Sequence, residues 1–379
     1  MPSYDLMIQG GTAIDPAAGL HAERDVAIAG GKVAAVEASI AADQAARRID
    51  ARGKLVLPGL IDLHAHVFAG VGGGADPDLD CVGRGTTTVL DGGSTGMQAF
   101  PGLKRYVIQR SRARIQAWLN IASIGLIDTR VGELMNLNHV DPEGAAATAE
   151  ANRDTIIGFK IRVSGYVAGG TCKPALNLVR QAAEATGLPI MVHIGESFEP
   201  LPEVLAFLRP GDVVTHTLTG RRHGILDADG KLLPAVREAR QNSVFFDAAH
   251  GRSHFGFALI RRALDQGFVP DSLSTDITAF TAADPTFHLP LLISKLMALG
   301  LSLDQAVPLV TSNSARYLKR EREIGTLQPG ASGDVAILEL LEGDFTLRDN
   351  EGQSIRARQR LRPWLTVRAG EVIEAAAEA

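Results

Sequence analysis

Eight short apolar runs, rich in β-branched residues, recur through the middle of the chain and limit the folds that it can adopt. Alanine-rich or amphipathic segments such as 142–154 and 173–185 lie between them and predict helices. The midpoints of the runs are roughly 25 to 40 residues apart, which leaves room for one helix and two loops in each unit. This alternation predicts βα units on a parallel sheet, and eight units favour a closed (β/α)8 barrel over an open doubly wound sheet. The predicted strands are 60–64, 87–91, 115–121, 157–161, 190–193, 213–216, 244–247 and 273–276.

The two ends of the chain have a different pattern. Short runs separated by tight glycine turns, such as Gly10-Gly11 and Gly30-Gly31, predict a hairpin-rich sheet at the start, and the segment after Gly333 repeats this style. A (β/α)8 barrel takes roughly 250 residues, so a chain of 379 residues has about 130 to spare. These β-rich ends account for the surplus.

Composition excludes several classes of partner. The net charge is −5 and the basic residues are scattered singly, which argues against nucleic acid and anionic membrane surfaces. The start of the sequence lacks a basic and apolar leader, and no stretch approaches the ~18 apolar residues of a membrane span, so we expect a cytoplasmic protein. The two cysteines, Cys81 and Cys172, are too few for a disulfide framework or a four-thiolate zinc site. Any metal site must therefore depend on histidine and carboxylate.

Ligand-type residues stand at the carboxyl ends of five predicted strands, the face at which barrels of this kind carry their catalytic groups. The spacing of His64 and His66 is that of a strand, where residues i and i+2 point to the same side and can reach one ion. A single H-x-H pair is weak evidence for a metal site. Its combination with polar residues at the ends of other strands is much less expected by chance. The full set is His64, His66, Lys160, His193, His216 and Asp276.

With these residues in place, the sequence resembles the amidohydrolase superfamily of metal-dependent hydrolases. The motifs that carry the resemblance are Pro-Gly-Leu-Ile-Asp-Leu-His-Ala-His at 58–66, Gly-Phe-Lys at 158–160, the single histidines ending strands five and six, Ser-Thr-Asp at 274–276, and the glycine-rich run at 325–336. The resemblance implies a (β/α)8 barrel of residues 58–324 on a small β-sandwich domain made from both termini, 1–57 and 325–379.

Four neutral imidazoles and a carboxylate are suitable zinc ligands, whereas a protonated Lys160 has no lone pair to offer. By resemblance, Lys160 reacts with carbon dioxide to form a carbamate that bridges two divalent ions, most simply Zn²⁺. His64, His66 and Asp276 would hold the first ion, and His193 and His216 the second. Asp276 would take a proton from a metal-bridging hydroxide as base and return it to the leaving group as acid.

Other residues near these strand ends are candidates for supporting roles. Arg162 follows Lys160 by two positions and could orient a substrate carboxylate or support a ligand. His250 and His254 lie in the loop after the seventh strand, where substrate contacts are common. Asp62 is expected to fix the tautomer of His64. The Gly-Gly-Ser-Thr-Gly run at 92–96 matches the serine-hydrolase pattern G-x-S-x-G, but a serine nucleophile would leave the strand-end histidines unexplained.

The resemblance favours a deacetylase-like branch over a true dihydroorotase. Dihydroorotases usually carry an arginine two residues after the second histidine, and Phe68 occupies that position here. We therefore expect hydrolysis of the acyl amide or ester of small acylated carboxylic acids, such as N-acetyl or O-acetyl compounds. Cyclic-amide hydrolysis is the second hypothesis, and a catalytically inactive structural homologue is a third. We also expect the protein to bind a small-molecule substrate and to form a homo-oligomer.

Overall fold

A computed structural model describes residues 2–128 and 130–376. Its central element is a sheet of eight parallel strands in sequence order, which is the barrel that the sequence predicts. Backbone hydrogen bonds from Asp276 to His64 (2.7 Å) and from His66 to Ile277 (2.9 Å) link the chain after the last strand to the first, so the sheet is nearly closed. The strands are β6 Leu60–Ala65, β7 Thr86–Asp91, β8 Arg114–Asn120, β9 Ile156–Arg162, β10 Ile190–His193, β11 Val213–Thr215, β12 Phe245–Ala249 and β13 Ser272–Ser274.

Helices fill the connections between the barrel strands. In α4 (Cys172–Thr186), small and branched residues such as Ala175, Val179 and Ala182 recur at helical spacing and are buried, and the helix ends at Gly187, whose φ of 67° suits glycine. The predicted helical segments 142–154 and 173–185 both correspond to observed helices. The other helices are α1 Phe100–Leu103, α2 Pro142–Glu150, α3 Gly165–Ala168, α5 Leu201–Leu205, α6 Pro234–Gln241, α7 Phe257–Asp265, α8 Leu289–Ala298, α9 Leu303–Ala306 and α10 Ser312–Tyr317. Within the described residues, no helix is both long and apolar enough to cross a membrane.

Strands from both termini form a second eight-stranded sheet, in the order β16-β15-β14-β5-β1-β2-β3 with β4 beside β1. It has its own apolar core, which includes Ile8, Ile28 and Val335. β5 ends at Pro58 and β6 begins two residues later, so the chain passes from this sheet into the barrel between them; the domain bounds themselves stay a prediction. The strands are β1 Tyr4–Asp15, β2 Leu20–Ala29, β3 Lys32–Glu37, β4 Ala45–Asp50, β5 Leu55–Pro58, β14 Val335–Arg348, β15 Ser354–Arg368 and β16 Glu371–Glu374.

A buried ion cluster joins the two sheets. Asp334, just before β14, accepts hydrogen bonds from Arg114 of barrel strand β8 (2.8 Å) and from Arg368 of β15 (3.0 Å). Its side chain is only 3% exposed, so the carboxylate depends on the two guanidinium groups for its charge to be tolerated there. The cluster therefore fixes the terminal sheet against the amino-terminal half of the barrel.

The long β14–β15 hairpin reaches from the terminal sheet to the loop that follows β12. At its tip, the side chain of Asn350 donates to the backbone carbonyl of Gly251 (2.6 Å), and its backbone N–H donates to that of Phe255 (3.1 Å). Asp349 accepts from the backbone N–H of Phe257 (2.8 Å). The loop from Gly251 to Phe255 is therefore held at both ends by a segment more than ninety residues away in sequence.

Candidate metal centre

The ligand-type residues predicted from the strand ends converge at the carboxyl end of the barrel. Nε2 of His66 lies 3.1 Å from Oδ1 of Asp276, and Nε2 of His64 lies 3.5 Å from the same oxygen. The other carboxylate oxygen lies 3.9 Å from Nε2 of His216. Nζ of Lys160 is 3.0 Å from Nε2 of His64. The ring of His193 packs 4.1 Å from that of His216, between centroids, which completes the set.

A cavity of about 460 Å³ opens onto these side chains. Five of the six candidate ligands line it, all except His216, and so do Arg162, Arg221, Arg252 and the exposed ring of Phe280. The candidate ligands themselves are buried, with His64 and Lys160 each 1% exposed. A small substrate in this cavity would meet guanidinium groups as well as nitrogen and oxygen donors.

His64, His66 and Asp276 form one group whose ligand atoms all lie within 4.8 Å of one another. The two imidazoles are oriented through their other nitrogens: Nδ1 of His64 is 2.8 Å from Oγ1 of Thr215, and Nδ1 of His66 is 2.8 Å from Oγ of Ser94. Such hydrogen bonds hold a ligating ring in place and leave Nε2 free for an ion. This group is suited to hold one divalent cation.

A second group consists of His193, His216 and His254, with the same spacing between ligand atoms. Nε2 of His193 and Nε2 of His216 are both buried without a hydrogen-bond partner among the described residues. Buried polar atoms are normally paired, so two unpartnered nitrogens side by side fit a site that binds an ion. Nδ1 of His216 lies 3.2 Å from the carbonyl of Ala249, which fixes the ring in the same way as in the first group.

Two glycines after β7 make room for these groups. A Cβ added to Gly92 would lie 2.6 Å from Nε2 of His64 and nearer still to its Cδ2, and one added to Gly93 would lie 2.5 Å from Cβ of Lys160. Both distances are well below the about 3.5–4.0 Å at which non-bonded heavy atoms normally pack, so neither position has room for a Cβ. The Gly-Gly-Ser-Thr-Gly run therefore serves to accommodate His64 and Lys160 and to orient His66 through Ser94.

The backbone at two candidate ligands is unusual. His216 (φ 67°) and Asp276 (φ 52°) both lie in the left-handed region, just beyond the ends of β11 and β13. The predicted strands were one or two residues too long at these points. Non-glycine residues in this conformation cost of order 1–3 kcal/mol and cluster at functional sites, where the surrounding structure imposes them.

Burial and neighbouring charges set the ionisation of the site. Burial holds the pKa values of His64, His193 and His216 well below the usual 6.5, so these imidazoles are neutral, as metal ligands must be. Burial opposes ionisation of Asp276, but His64 and its neighbours overcome this and hold the pKa of that carboxyl well below its usual value. Burial also lowers the pKa of Lys160 to about 7. The centre therefore presents neutral nitrogens, a carboxylate and a readily deprotonated amine, a donor set that fits two divalent ions.

The other predicted site residues have different surroundings. Arg162 lines the same cavity as Lys160, but it also lies 3.4 Å from a carboxylate oxygen of Glu133 and donates to Oη of Tyr166 (2.7 Å). His254 lines the cavity and belongs to the second imidazole group.

His250 is fully buried and does not line the cavity. Its Nε2 lies 2.7 Å from Nζ of Lys295, and its Nδ1 lies 2.8 Å from the carbonyl of Gly251. Because both ring nitrogens are engaged, the geometry gives no support to the expected substrate contact. We assign His250 instead to anchoring the loop after β12.

Asp62 differs from expectation in its contacts. Its carboxylate accepts from the backbone N–H of His64 (3.2 Å) and from the hydroxyl and backbone N–H of Thr275 (2.6 and 3.1 Å), rather than from the imidazole of His64. Burial raises the pKa of Asp62 to about 7. Asp62 thus ties the backbone of the first barrel strand to that of the last, and the ring of His64 is oriented by another group.

The ring of His64 is oriented by a hydrogen-bonded relay through Thr215 and Asp247, which the sequence did not predict. Thr215, whose hydroxyl meets Nδ1 of His64, donates to Oδ2 of Asp247 (2.7 Å), and Asp247 also accepts from Ser272 (2.7 Å) and Ser274. The signal was present, since Asp247 is an acidic residue in a predicted buried strand, where an unpaired charge is costly.

A (β/α)8 barrel with imidazole and carboxylate groups gathered at the carboxyl ends of its strands defines a barrel enzyme built around a candidate metal centre. The chain belongs to the amidohydrolase family, whose model matches residues 55–359, and it is a hydrolase.

Three similar proteins extend this finding. The chain is 33% identical over 357 residues to a deacetylase of Agrobacterium fabrum, covering 93% of this chain and 87% of the relative. A crystal structure described as an adenine deaminase superposes with a TM-score of 0.89 at 30% identity, covering 98% of this chain and all of the other. A crystal structure described as a dihydroorotase gives a TM-score of 0.89 at 29% identity, covering 98% and 99%.

Proposed function

We propose that the protein hydrolyses the acyl amide or ester bond of small acylated carboxylic acids at a centre of two divalent metal ions, most simply Zn²⁺. The observation that carries this proposal is the convergence of the six predicted ligand-type residues, five of which line a cavity of about 460 Å³ that guanidinium groups also line. The deacetylase of Agrobacterium fabrum supports acyl transfer to water as the reaction.

In this proposal, His64, His66 and Asp276 would hold one ion and His193 and His216 the other, and Lys160, once carboxylated, would supply further oxygen ligands. The low pKa of Lys160 supports carboxylation, because only the neutral amine can attack carbon dioxide. When bound, two such ions polarise the scissile carbonyl and make water a stronger nucleophile near neutral pH.

Asp276 is the proposed general base and acid. Its side chain is 17% exposed to the cavity, and its pKa is well below the usual value, so it enters the reaction as a carboxylate able to accept a proton. The imidazoles of His64, His66 and His216 surround it, and His66 is within hydrogen-bond distance of Oδ1. The proton that it accepts is then available to the leaving nitrogen or oxygen on the same side of the cavity.

Arg252 is the group best placed to recognise a substrate carboxylate. It lines the cavity, and in the part of the chain that the structure describes no hydrogen bond or ion pair engages its guanidinium group. Arg162 and Arg221, by contrast, already have the acidic partners Glu133 and Glu196. A guanidinium without a carboxylate partner can offer two parallel N–H groups to an incoming acid.

The test is a substrate screen of the purified protein against N-acetyl amino acids of both hands, O-acetylated hydroxy acids and dihydroorotate. Turnover of an acyl compound, with about two ions per chain by elemental analysis, supports the proposal. We expect Asp276→Asn to lower kcat by about 10²–10⁴-fold while the protein remains folded. Asp265→Asn, on the exposed end of α7, is the matched control and should leave turnover unchanged. Turnover of dihydroorotate alone would refute the proposal in favour of cyclic-amide hydrolysis, which the dihydroorotase-like structure keeps as the second candidate.

A carboxylate preference can be tested separately. Removing a charged hydrogen bond costs about 1.5–3 kcal/mol, so Arg252→Ala should raise KM for a free acid by about 10- to 100-fold. The neutral amide or methyl ester of the same substrate should be unaffected by the variant. An equal loss for both compounds would show that Arg252 does not recognise the carboxylate.

A further inference from the structure

His254 lies where a metal ligand would be expected, although the proposed assignment leaves it unused. Its ring centroid is 4.1 Å from that of His216 and 5.0 Å from that of His193, and the ring is nearly perpendicular to the latter, at 87°. The ligand atoms of the three residues lie within 4.8 Å of one another. With Zn–N bonds of about 2.0–2.1 Å, ligand nitrogens must lie within about 4 Å of one another, so a shift of less than about 1 Å would bring all three to one ion.

The hydrogen bonding of His254 leaves the correct nitrogen free. Nδ1 lies 3.0 Å from Oγ1 of Thr219, and that oxygen also accepts from the backbone N–H of Arg221 at 3.2 Å. A hydroxyl oxygen has two acceptor lone pairs, so it can accept from the Nδ1–H of His254 as well. In this tautomer Nε2 carries a lone pair, as in the other candidate ligands that are fixed through Nδ1.

The loop that carries His254 is held in place before any ligand binds. The hairpin tip at Asn350 bonds to Gly251 and Phe255 on either side of His254, and Lys295 and His250 fix the beginning of the loop. His254 is only 9% exposed, so its ring has little freedom to turn toward solvent. Such a preorganised side chain loses little conformational entropy on binding an ion.

We propose that His254 is a third imidazole ligand of the second metal ion, together with His193 and His216. Three imidazoles and an open position form a sufficient donor set for zinc. The second ion would then remain bound even when Lys160 is not carboxylated. Carboxylation would raise the affinity for this ion but would not be required for binding. This inference rests on the proposed two-ion centre.

The experiment compares metal binding by the wild type and His254→Gln. Each protein is stripped with chelator and reloaded with Zn²⁺, with and without bicarbonate. Bound zinc is counted by elemental analysis, and affinities are measured by competition with a chromophoric chelator. Loss of a residue that merely orients a ligand costs about 10–100-fold in affinity, so loss of the ligand itself should weaken one of the two ions by at least that factor. Without bicarbonate, the wild type should keep two ions and the variant one.

Two further variants make the result specific. Ser253→Ala, the adjacent position at the cavity, is the matched control and should bind zinc as the wild type does. Thr219→Val removes the partner of Nδ1 and should weaken the same ion by about tenfold. Far-ultraviolet circular dichroism of the metal-free proteins checks that each variant is folded, and Co²⁺ absorption spectra should change in His254→Gln because an imidazole is lost.

The possible failures can be told apart. A wild type that binds no zinc after reloading would refute the two-ion proposal itself. A wild type with two ions, and a His254→Gln variant with equal affinities and an unchanged Co²⁺ spectrum, would refute only the role of His254. In that case a raised KM in the variant would assign His254 to substrate binding, as the sequence predicts.

Discussion

The clearest test of the site geometry is the substitution of Gly92, which follows strand β7. Its φ is not in the left-handed region, so alanine can adopt the backbone conformation without strain. The added Cβ, however, would lie 2.6 Å from Nε2 of His64 and nearer still to Cδ2. The effect of Gly92→Ala therefore reports on the space occupied by the imidazole of His64 and on little else.

The size of the effect follows from the shortfall in distance. Non-bonded heavy atoms prefer a separation of about 3.5–4.0 Å, so the ring must move by about 1 Å or more. A displacement of about 1 Å at a reacting centre can cost about 10²-fold in rate, or about 2.7 kcal/mol. Overpacking of a buried site also costs about 1–3 kcal/mol of folding stability.

The assay measures kcat/KM on the best substrate of the screen, zinc affinity by chelator competition, and unfolding in urea. Gly170→Ala is the matched control, because a Cβ at Gly170 meets no atom within 4 Å and its φ is also outside the left-handed region. We expect the control to behave as the wild type. Zinc affinity and kcat/KM of Gly92→Ala indistinguishable from those of the wild type would refute the claim that His64 occupies this space as a ligand.

Three further predictions concern groups around the centre and the interface between the two sheets. Ser94→Ala should weaken zinc binding by about 10–100-fold through His66, with activity restored by added zinc, whereas a serine nucleophile would lose turnover at any zinc concentration. Thr215→Val should weaken zinc binding by a similar factor, because it breaks the relay to His64. Asp334→Asn should lower the free energy of unfolding by about 3–5 kcal/mol at neutral pH, measured in urea. Burial raises the pKa of Asp334, but the two arginines lower it by more, so the pKa is below 3.8 overall. The contribution of Asp334 to the free energy of unfolding is therefore present above about pH 4 and is lost as the pH falls through the lowered pKa. A wild type that loses no more stability on acidification than the variant would contradict this reasoning.

Much of the barrel could be predicted because its signals are local. All eight predicted strands correspond to observed strands, since apolar β-branched runs of four to seven residues between helical segments have few alternatives in a parallel sheet. The errors are at the ends: β11 stops at Thr215 and β13 at Ser274, because His216 and Asp276 adopt left-handed backbone conformations that no propensity signals. The assignment of the six strand-end residues as metal ligands stays a prediction, as do the cytoplasmic location and the homo-oligomer.

The sequence by itself determined the alternation of strands and helices and the identity of the polar residues at the strand ends, because side-chain period and strand direction fix which residues reach one face. Only the tertiary structure decided which partners the surrounding side chains contact. It places His254 beside His216 and brings His250 into hydrogen-bond contact with Lys295. It also makes Thr215 the partner of His64, from which it is 151 residues away in sequence. Such pairings depend on which loops and strand ends meet in space, and no local pattern in the chain encodes that distance.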